Sequence, residues 1–236
     1  MKSNMTQYLK RIGIILGIAV MGQFGNAQEC SSYFPLQKGL RLEYQMLNDK
    51  GKSEGSQWQE ITSITETPEG TRAEMKMGHK DAKGKEVFST DYGFLCTRNA
   101  VIFDFKSLMS GPMAEQFEDT EVEISGIDLE WPNTLEVGME LPDASIEMKL
   151  NMGGMNMSFN TVTKARRVEK KETVTTPAGT FECFVVYSET QAKVMMSTQS
   201  VPSRAWMAEG IGLVKSESYD KKGNLINQMV LTSVKR

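Results

Sequence analysis

The sequence of 236 residues has little of what most often carries chemistry in proteins. It contains one histidine, His79, and three cysteines. A zinc site needs more nitrogen and sulfur ligands than this chain offers. His79 stands alone just before a predicted turn, so we expect an isolated surface side chain. The composition therefore argues against a zinc enzyme.

One motif suggests a serine hydrolase but does not sit in the right context. Gly51-Lys52-Ser53-Glu54-Gly55 has the spacing of a nucleophile elbow, which requires a strand-to-helix turn and a histidine base. Here the motif overlaps a hairpin turn, and no aspartate lies between Ser53 and His79. We interpret it as a turn, and we predict that the protein is not an enzyme and needs no cofactor.

An excess of basic charge is also absent. The chain has 27 Lys and Arg against 30 Asp and Glu, and three of the basic residues lie within residues 1–27. A chain of this charge would be repelled by nucleic acid and by anionic lipid headgroups. We therefore predict no nucleic-acid partner.

No apolar stretch is long enough to cross a bilayer. Residues 12–24 form the longest one, preceded by Lys2, Lys10 and Arg11 and followed by Gly25-Asn26-Ala27. A basic segment, a short apolar run and small residues at the cleavage positions are typical of a cleaved export signal. We predict a signal peptide over 1–27, a single exported domain over 28–236 and no transmembrane span.

The three cysteines allow three choices of disulfide. We favour Cys30–Cys96, because Cys30 lies near the new N-terminus, and closing this loop would contribute about 4 kcal/mol in the chain-entropy model. Cys183 lies in a segment that is apolar on both faces, which predicts a buried free thiol. Lipidation of Cys30 is the less favoured alternative, because Gln28 and Glu29 precede it rather than small residues.

Regular turns and alternating side chains predict the fold. Gly closes several turns that begin with Asp or with Thr-Pro, and between turns apolar and polar residues alternate, as in 40–46 and 145–160. We predict an all-β domain with one antiparallel sheet of about nine or ten strands. The sheet must curl into an open or closed barrel to hide its apolar face. One short helix is predicted over 107–117.

Methionine is the most unusual component, with 17 residues. Around Gly153-Gly154 the hairpin pattern places apolar side chains on one face, because Met152 pairs with Met155 and the offsets along each strand are even. Three interpretations remain open: core packing, a lining for an apolar ligand or partner, and copper binding by thioethers. As ligand-binding residues we predict Met148, Leu150, Met152, Met155, Met157 and Phe159.

Three segments carry a resemblance to a known family. They are Tyr33-Phe34-Pro35-Leu36 with Gly39, then 176–183 (TPAGTFEC), and Trp206 with 210–215 (GIGLVK). Together they resemble the TapB-like exported proteins of Gram-negative bacteria, which are of unknown function. The resemblance implies a β-rich exported domain in the periplasm or on the outer cell surface, with a link to the half-barrel of periplasmic lipoprotein carriers. It supplies no catalytic residues.

The sequence thus favours a non-catalytic protein of the cell envelope. We expect it to bind an apolar ligand, either a lipid or a lipidated protein, in the curve of its sheet. The alternative is a structural or interaction protein with a filled core and no small-molecule ligand.

Overall fold

The computed structural model describes residues 31–104, 121–152, 155–194 and 197–236. The predicted signal peptide, Cys30 and the predicted helix 107–117 lie outside these ranges. Within them the chain forms strands, turns and loops. These ranges contain no helix that is long and apolar enough to span a membrane. The all-β prediction is confirmed, because all strands belong to a single antiparallel sheet.

The described ranges contain thirteen strands, so the predicted number of nine or ten is wrong. The strands are β1 Arg41–Asn48, β2 Ser53–Thr67, β3 Gly70–Asp81, β4 Glu86–Cys96, β5 Ala100–Phe103, β6 Glu121–Ile127, β7 Leu129–Pro132, β8 Ala144–Met152, β9 Met155–Thr176, β10 Gly179–Val194, β11 Ser197–Ala208, β12 Gly212–Tyr219 and β13 Leu225–Lys235. Strands β5 and β7 have four residues each, too few for a period of two to stand out.

The order of the strands shows how the sheet closes. It runs β6-β8-β9-β10-β11-β12-β13-β1-β2-β3-β4-β5-β7. The two edge strands, β6 and β7, are consecutive in the chain and separated only by Asp128. One continuous segment therefore pairs with β8 through its first half and with β5 through its second half. The sheet curls back on itself into a nearly closed barrel, as predicted.

Side-chain caps explain why the hairpin turns form where they do. The Asp81 carboxylate accepts hydrogen bonds from the backbone N–H groups of Lys83 and Lys85, both at 2.9 Å. In the first turn, between β1 and β2, the cap is Asn48 and not the following Asp49, although the sequence predicts turns that begin with Asp. An amide oxygen serves as well as a carboxylate oxygen in this position.

Strand β9 has 22 residues and bends in the middle. Ala165 has a positive φ of 52°, and the register with β10 shifts between Val185 and Val186 and again between Tyr187 and Glu189. Immediately after this bend, Val168 bonds to the loop that precedes β8: its N–H donates to the carbonyl of Met139 at 2.8 Å, and its carbonyl accepts from Gly138 at 2.9 Å. This loop therefore packs along one side of the bent strand.

The core begins with the alternating segment that the sequence singled out. Leu40, Leu42 and Tyr44 are at most 5% exposed and pack in the larger of two hydrophobic clusters. The smaller cluster joins Tyr33 to Val168, Val186 and other buried side chains. Tyr33 belongs to the N-terminal segment, residues 31–40, which precedes β1. The N-terminal segment, which is not part of the sheet, therefore lies against the sheet as a packed layer.

Candidate ligand cavity

A cavity of about 260 Å³ lies against the sheet between the N-terminal segment and the strands. Apolar and aromatic side chains make up most of its wall. They come from the N-terminal segment and from both halves of the sheet: Tyr33, Phe34, Pro35, Leu40, Leu42, Ile61, Met75, Tyr92, Phe94, Phe103, Leu129, Trp131, Ala205, Met207, Ile211 and Leu213. Gln59, Gly212 and Ser216 complete the lining.

The register of the sheet explains why these side chains meet. Paired residues on neighbouring strands point to the same face, and so do alternate residues of one strand. Leu42 pairs with Gln59, and Ile61 pairs with Met75. On the other side of the cavity Ala205 pairs with Ser216. These two small side chains leave the space that the larger residues surround.

Four aromatic rings form one wall. Phe34 contacts Phe94, Phe103 and Trp131 at centroid distances of 6.1, 5.3 and 6.2 Å. Rings at these distances and tilts attract one another beyond their burial of area. Phe34 belongs to the segment Tyr33-Phe34-Pro35-Leu36, so this part of the family resemblance maps to the wall of the cavity.

A chain of hydrogen bonds between uncharged groups reaches into the cavity. The hydroxyl of Tyr92 donates to Oε1 of Gln59 at 3.2 Å, and Nε2 of Gln59 donates to the hydroxyl of Tyr44, also at 3.2 Å. Tyr44 in turn donates to the backbone carbonyl of Leu213 at 2.9 Å. Burial strongly raises the pKa of both Tyr44 and Tyr92, so both hydroxyls stay protonated at neutral pH.

None of the described residues that line the cavity is charged. Burial raises the pKa of Tyr33, which lines the cavity, and the negative charge of Glu209 raises it further. A buried cation, Arg166, stacks on Trp131 with its guanidinium carbon 5.1 Å from the ring centroid. Arg166 does not itself line the cavity, and it donates to the carbonyl of Pro142.

The predicted ligand-binding residues lie elsewhere in the sheet. Met148 pairs with Phe159, Leu150 with Met157 and Met152 with Met155, so the structure brings all six to one face. Of the four whose side chains are described, Leu150 is buried and the other three are half-buried. None of these four lines the cavity. Ligand binding by the six residues stays a prediction.

The methionine-rich hairpin nevertheless shares a face of the sheet with the cavity. Phe159 pairs with Val194 of β10. Val194 and Val186 are an even number of residues apart on β10, and the register between β10 and β11 does not shift between them, so the two positions lie on the same face. Val186 pairs with Ala205, which lines the cavity. At about 3.3 Å per residue, the two places are roughly 26 Å apart along β10.

The remaining candidate residues are placed as follows. Cys183 is buried and free, as predicted. Cys96 is buried in β4, and because Cys30 lies outside the described residues, the pair Cys30–Cys96 stays a prediction. His79 lies within β3, half-buried between Gln57 and Phe88 rather than on the surface. In the described ranges no three His, Cys, Asp or Glu side chains are grouped to hold a metal ion.

Sequence reasoning missed the cavity because its wall combines distant segments. A signal was present in β2, where Gln57, Gln59 and Ile61 alternate with Trp58 and Glu60. A glutamine at a position that the period assigns to the buried face indicates a polar group with an internal partner. Its partners, Tyr44 and Tyr92, become visible only when the strand order is known.

These features define the class of protein: an all-β protein whose nearly closed antiparallel sheet has an apolar cavity with an aromatic wall. The chain belongs to the DUF3108-like family, whose model matches residues 37–231. No curated protein matches the chain. The TapB-like name given to the resemblance is not confirmed by these matches.

Solved structures similar to this chain include two from the genera Bacteroides and Parabacteroides. One is a protein assigned as exported, with a YmcC-like fold, from Bacteroides fragilis, with 24% identity and a TM-score of 0.69. The other is a protein assigned as a lipoprotein from Parabacteroides distasonis, with 23% identity and a TM-score of 0.69. Each match covers 88% of this chain and 100% of the other chain. At this identity the matches establish a shared fold.

Proposed function

We propose that this protein is an exported, non-catalytic protein of the cell envelope that binds the apolar chain of a lipid, either free or attached to a protein. The observation that carries the proposal is the cavity of about 260 Å³ with its apolar and aromatic wall. Proteins commonly bind apolar ligands in concave sites of this kind, where a few polar groups fix the orientation.

The volume of the cavity is consistent with an alkyl chain. An engineered apolar cavity of roughly 150 Å³ already binds benzene, so this larger one has room for a longer segment. Each methylene group transferred from water into such an environment contributes about 0.8 kcal/mol. A lipid chain that enters only in part would therefore gain useful binding energy.

Two lines of support favour export and the envelope. The first 27 residues have the pattern of a cleaved signal peptide. The two similar structures carry the assignments exported protein and lipoprotein. We extend these locations to this chain, and the choice between the periplasm and the outer surface remains part of the proposal.

The polar groups of the cavity suit binding better than catalysis. Gln59 does not titrate, and the raised pKa of Tyr44 and Tyr92 keeps both hydroxyls protonated at neutral pH. A general base needs a pKa near the working pH, and neither tyrosine has one. We therefore propose that these residues hold and orient a ligand.

The proposal is tested by filling the cavity. Ser216→Leu adds a branched side chain to the cavity wall, and Ser218→Leu adds the same group two residues further along the same face of β12, outside the cavity. Bromine quenches tryptophan fluorescence on contact, and Trp131 lines the cavity. A terminally brominated undecyl chain should quench the wild type and Ser218→Leu but not Ser216→Leu.

Trp131→Phe provides the control for the source of the signal. The protein also contains Trp58 and Trp206, and quenching that survives in Trp131→Phe would come from a different site. Equal quenching of both serine variants would contradict binding in this cavity.

A further inference from the structure

We propose that the ligand is an uncharged amphiphile, whose hydroxyl, amide or ester group is recognised by Gln59 while its alkyl chain fills the apolar part of the cavity. This inference rests on the proposed function and names the chemistry of the ligand more closely. It excludes fatty-acid anions as the preferred ligand.

The hydrogen-bond count at Gln59 supports a polar head at this point. A glutamine amide has two N–H donors and an oxygen with two lone pairs. Tyr92 uses one lone pair of Oε1, and Tyr44 uses one donor of Nε2. Among the described residues, one donor and one lone pair of this half-buried side chain, which lines the cavity, have no partner. A ligand hydroxyl, or an amide group, could use both.

The two tyrosines fix the orientation of this amide. Tyr44 is 1% exposed and is itself anchored on the carbonyl of Leu213, which lies on a strand on the other side of the cavity. Because each group of the chain has a defined donor and acceptor, Gln59 cannot rotate without losing two hydrogen bonds. A prearranged polar group of this kind gives specificity at low entropic cost.

The charges around the cavity disfavour an anionic head. A carboxylate taken out of water needs a cation or several hydrogen-bond donors, and none of the described lining residues carries a positive charge. Glu209, whose negative charge acts on Tyr33 of the lining, would repel it. Arg166 lies on Trp131 outside the lining: its Nη1 donates to Pro142, its Nη2 has no hydrogen-bond partner among the described residues, and its charge is already faced by Asp143 and Glu130.

The test compares two ligands that differ only in the head. Terminally brominated undecanol and undecanoate carry the same chain and the same quencher, and binding is measured through Trp131 at neutral pH in the intact exported protein. The alcohol should bind at least about tenfold more tightly than the carboxylate, because the anion would be buried without a partner. This comparison uses the wild type and needs no variant to fold.

The role of Gln59 is tested separately. Gln59→Leu keeps the approximate volume and should weaken binding of the alcohol about fivefold, the effect of one buried hydrogen bond, while binding of brominated undecane, which has no head, stays the same. Gln57→Leu makes the same change two residues earlier on β2, outside the lining of the cavity, so it should not weaken binding of the alcohol.

The outcomes separate this inference from the proposed function. If none of the three compounds binds in the cavity, the proposed function fails. If the carboxylate binds as tightly as the alcohol, the proposed function stands and the preference for an uncharged head is wrong, which would point to Arg166. If Gln59→Leu leaves binding of the alcohol unaffected, or Gln57→Leu weakens it equally, Gln59 is not the recognition residue.

Discussion

Tyr44 is the residue at which the fold and the proposed site meet. It lies on β1, is 1% exposed, accepts a hydrogen bond from Gln59 and donates one to Leu213, 169 residues away in the chain. A buried hydroxyl that both donates and accepts a hydrogen bond stabilises a packed core. Loss of the hydroxyl leaves its two buried partners without a hydrogen bond. The same group therefore supports the barrel and orients the amide in the cavity.

Tyr44→Phe should lower the free energy of unfolding by about 1–3 kcal/mol, because Leu213 and Gln59 lose a buried partner. Urea denaturation measures the change. Tyr187→Phe is the matched control, since it retains the ring on which Arg167 and Arg204 stack. A change in Tyr44→Phe no larger than in the control would show that the buried hydrogen bonds contribute little.

Cys183 gives a prediction about pH at the same scale. Burial, with a smaller contribution from Glu172, raises the pKa of its thiol to about 11. In the unfolded chain the thiol ionises near pH 8.5, so above that value the unfolded state loses a proton that the folded state keeps. The contribution of this group to stability is complete below that pH and falls as the pH rises towards 11.

Alkylation measures whether the thiol of Cys183 is buried and protonated in the folded protein. At about pH 8, iodoacetamide should leave Cys183 unmodified in the native protein and modify it quantitatively in denaturant, because the thiolate is the nucleophile. Peptide mass mapping identifies the labelled cysteine. Rapid modification of Cys183 in the folded protein would contradict its burial.

Strand β9 carries a local bend in the sheet. Its bend coincides with Ala165, the only described residue other than glycine with a positive φ, and with the register shifts against β10. A bulge inserts extra residues into one strand and bends it, and the left-handed conformation costs an L-residue about 1 kcal/mol. The strain is local, and the paired loop before β8 holds the bend in place.

Ala165→Gly should therefore leave the fold intact and raise stability by up to about 1 kcal/mol, because glycine adopts a positive φ without a steric penalty. Ala165→Val should lower stability, since branching at Cβ makes the same conformation worse. Thermal unfolding of the two variants, followed by circular dichroism, compares them with the wild type. A lower stability of Ala165→Gly than of Ala165→Val would show that the positive φ at residue 165 causes no strain.

Much of this architecture could be predicted at the level of elements. The alternation in β1 identified its buried face, and the Gly153-Gly154 loop identified the pairing of Met152 with Met155, because both depend on local periodicity. The short strands β5 and β7 were not predicted, because four residues are too few to show an alternation of apolar and polar side chains. The bond between Gln59 and Tyr44 could not be foreseen, because it depends on which strands are neighbours.

Closure of the sheet is the property of the whole molecule on which the account depends. The segment through Asp128 joins the two edges of the sheet, and the N-terminal segment packs across the wall of the cavity through Phe34. Closing the edges removes exposed pairing groups that would otherwise favour aggregation. It also produces the concave face against which the cavity lies.

The predicted disulfide would tie the N-terminus to this closed structure. Cys96→Ala should lower the free energy of unfolding by about 2–4 kcal/mol more without reductant than with it, because only the oxidised wild type has the constrained unfolded chain. Thermal denaturation with and without dithiothreitol measures the difference. An equal loss under both conditions would exclude the Cys30–Cys96 bridge.

Native mass spectrometry of protein purified gently from the exported fraction shows whether the cavity holds an apolar chain. We expect an additional mass, lost on denaturation, that corresponds to a neutral lipid or to a lipidated protein, and a separate analysis of the released molecule distinguishes the two. Ser216→Leu should lack this mass, and Ser218→Leu should retain it. A wild-type mass equal to the bare chain would contradict the claim and favour a structural protein without a small ligand.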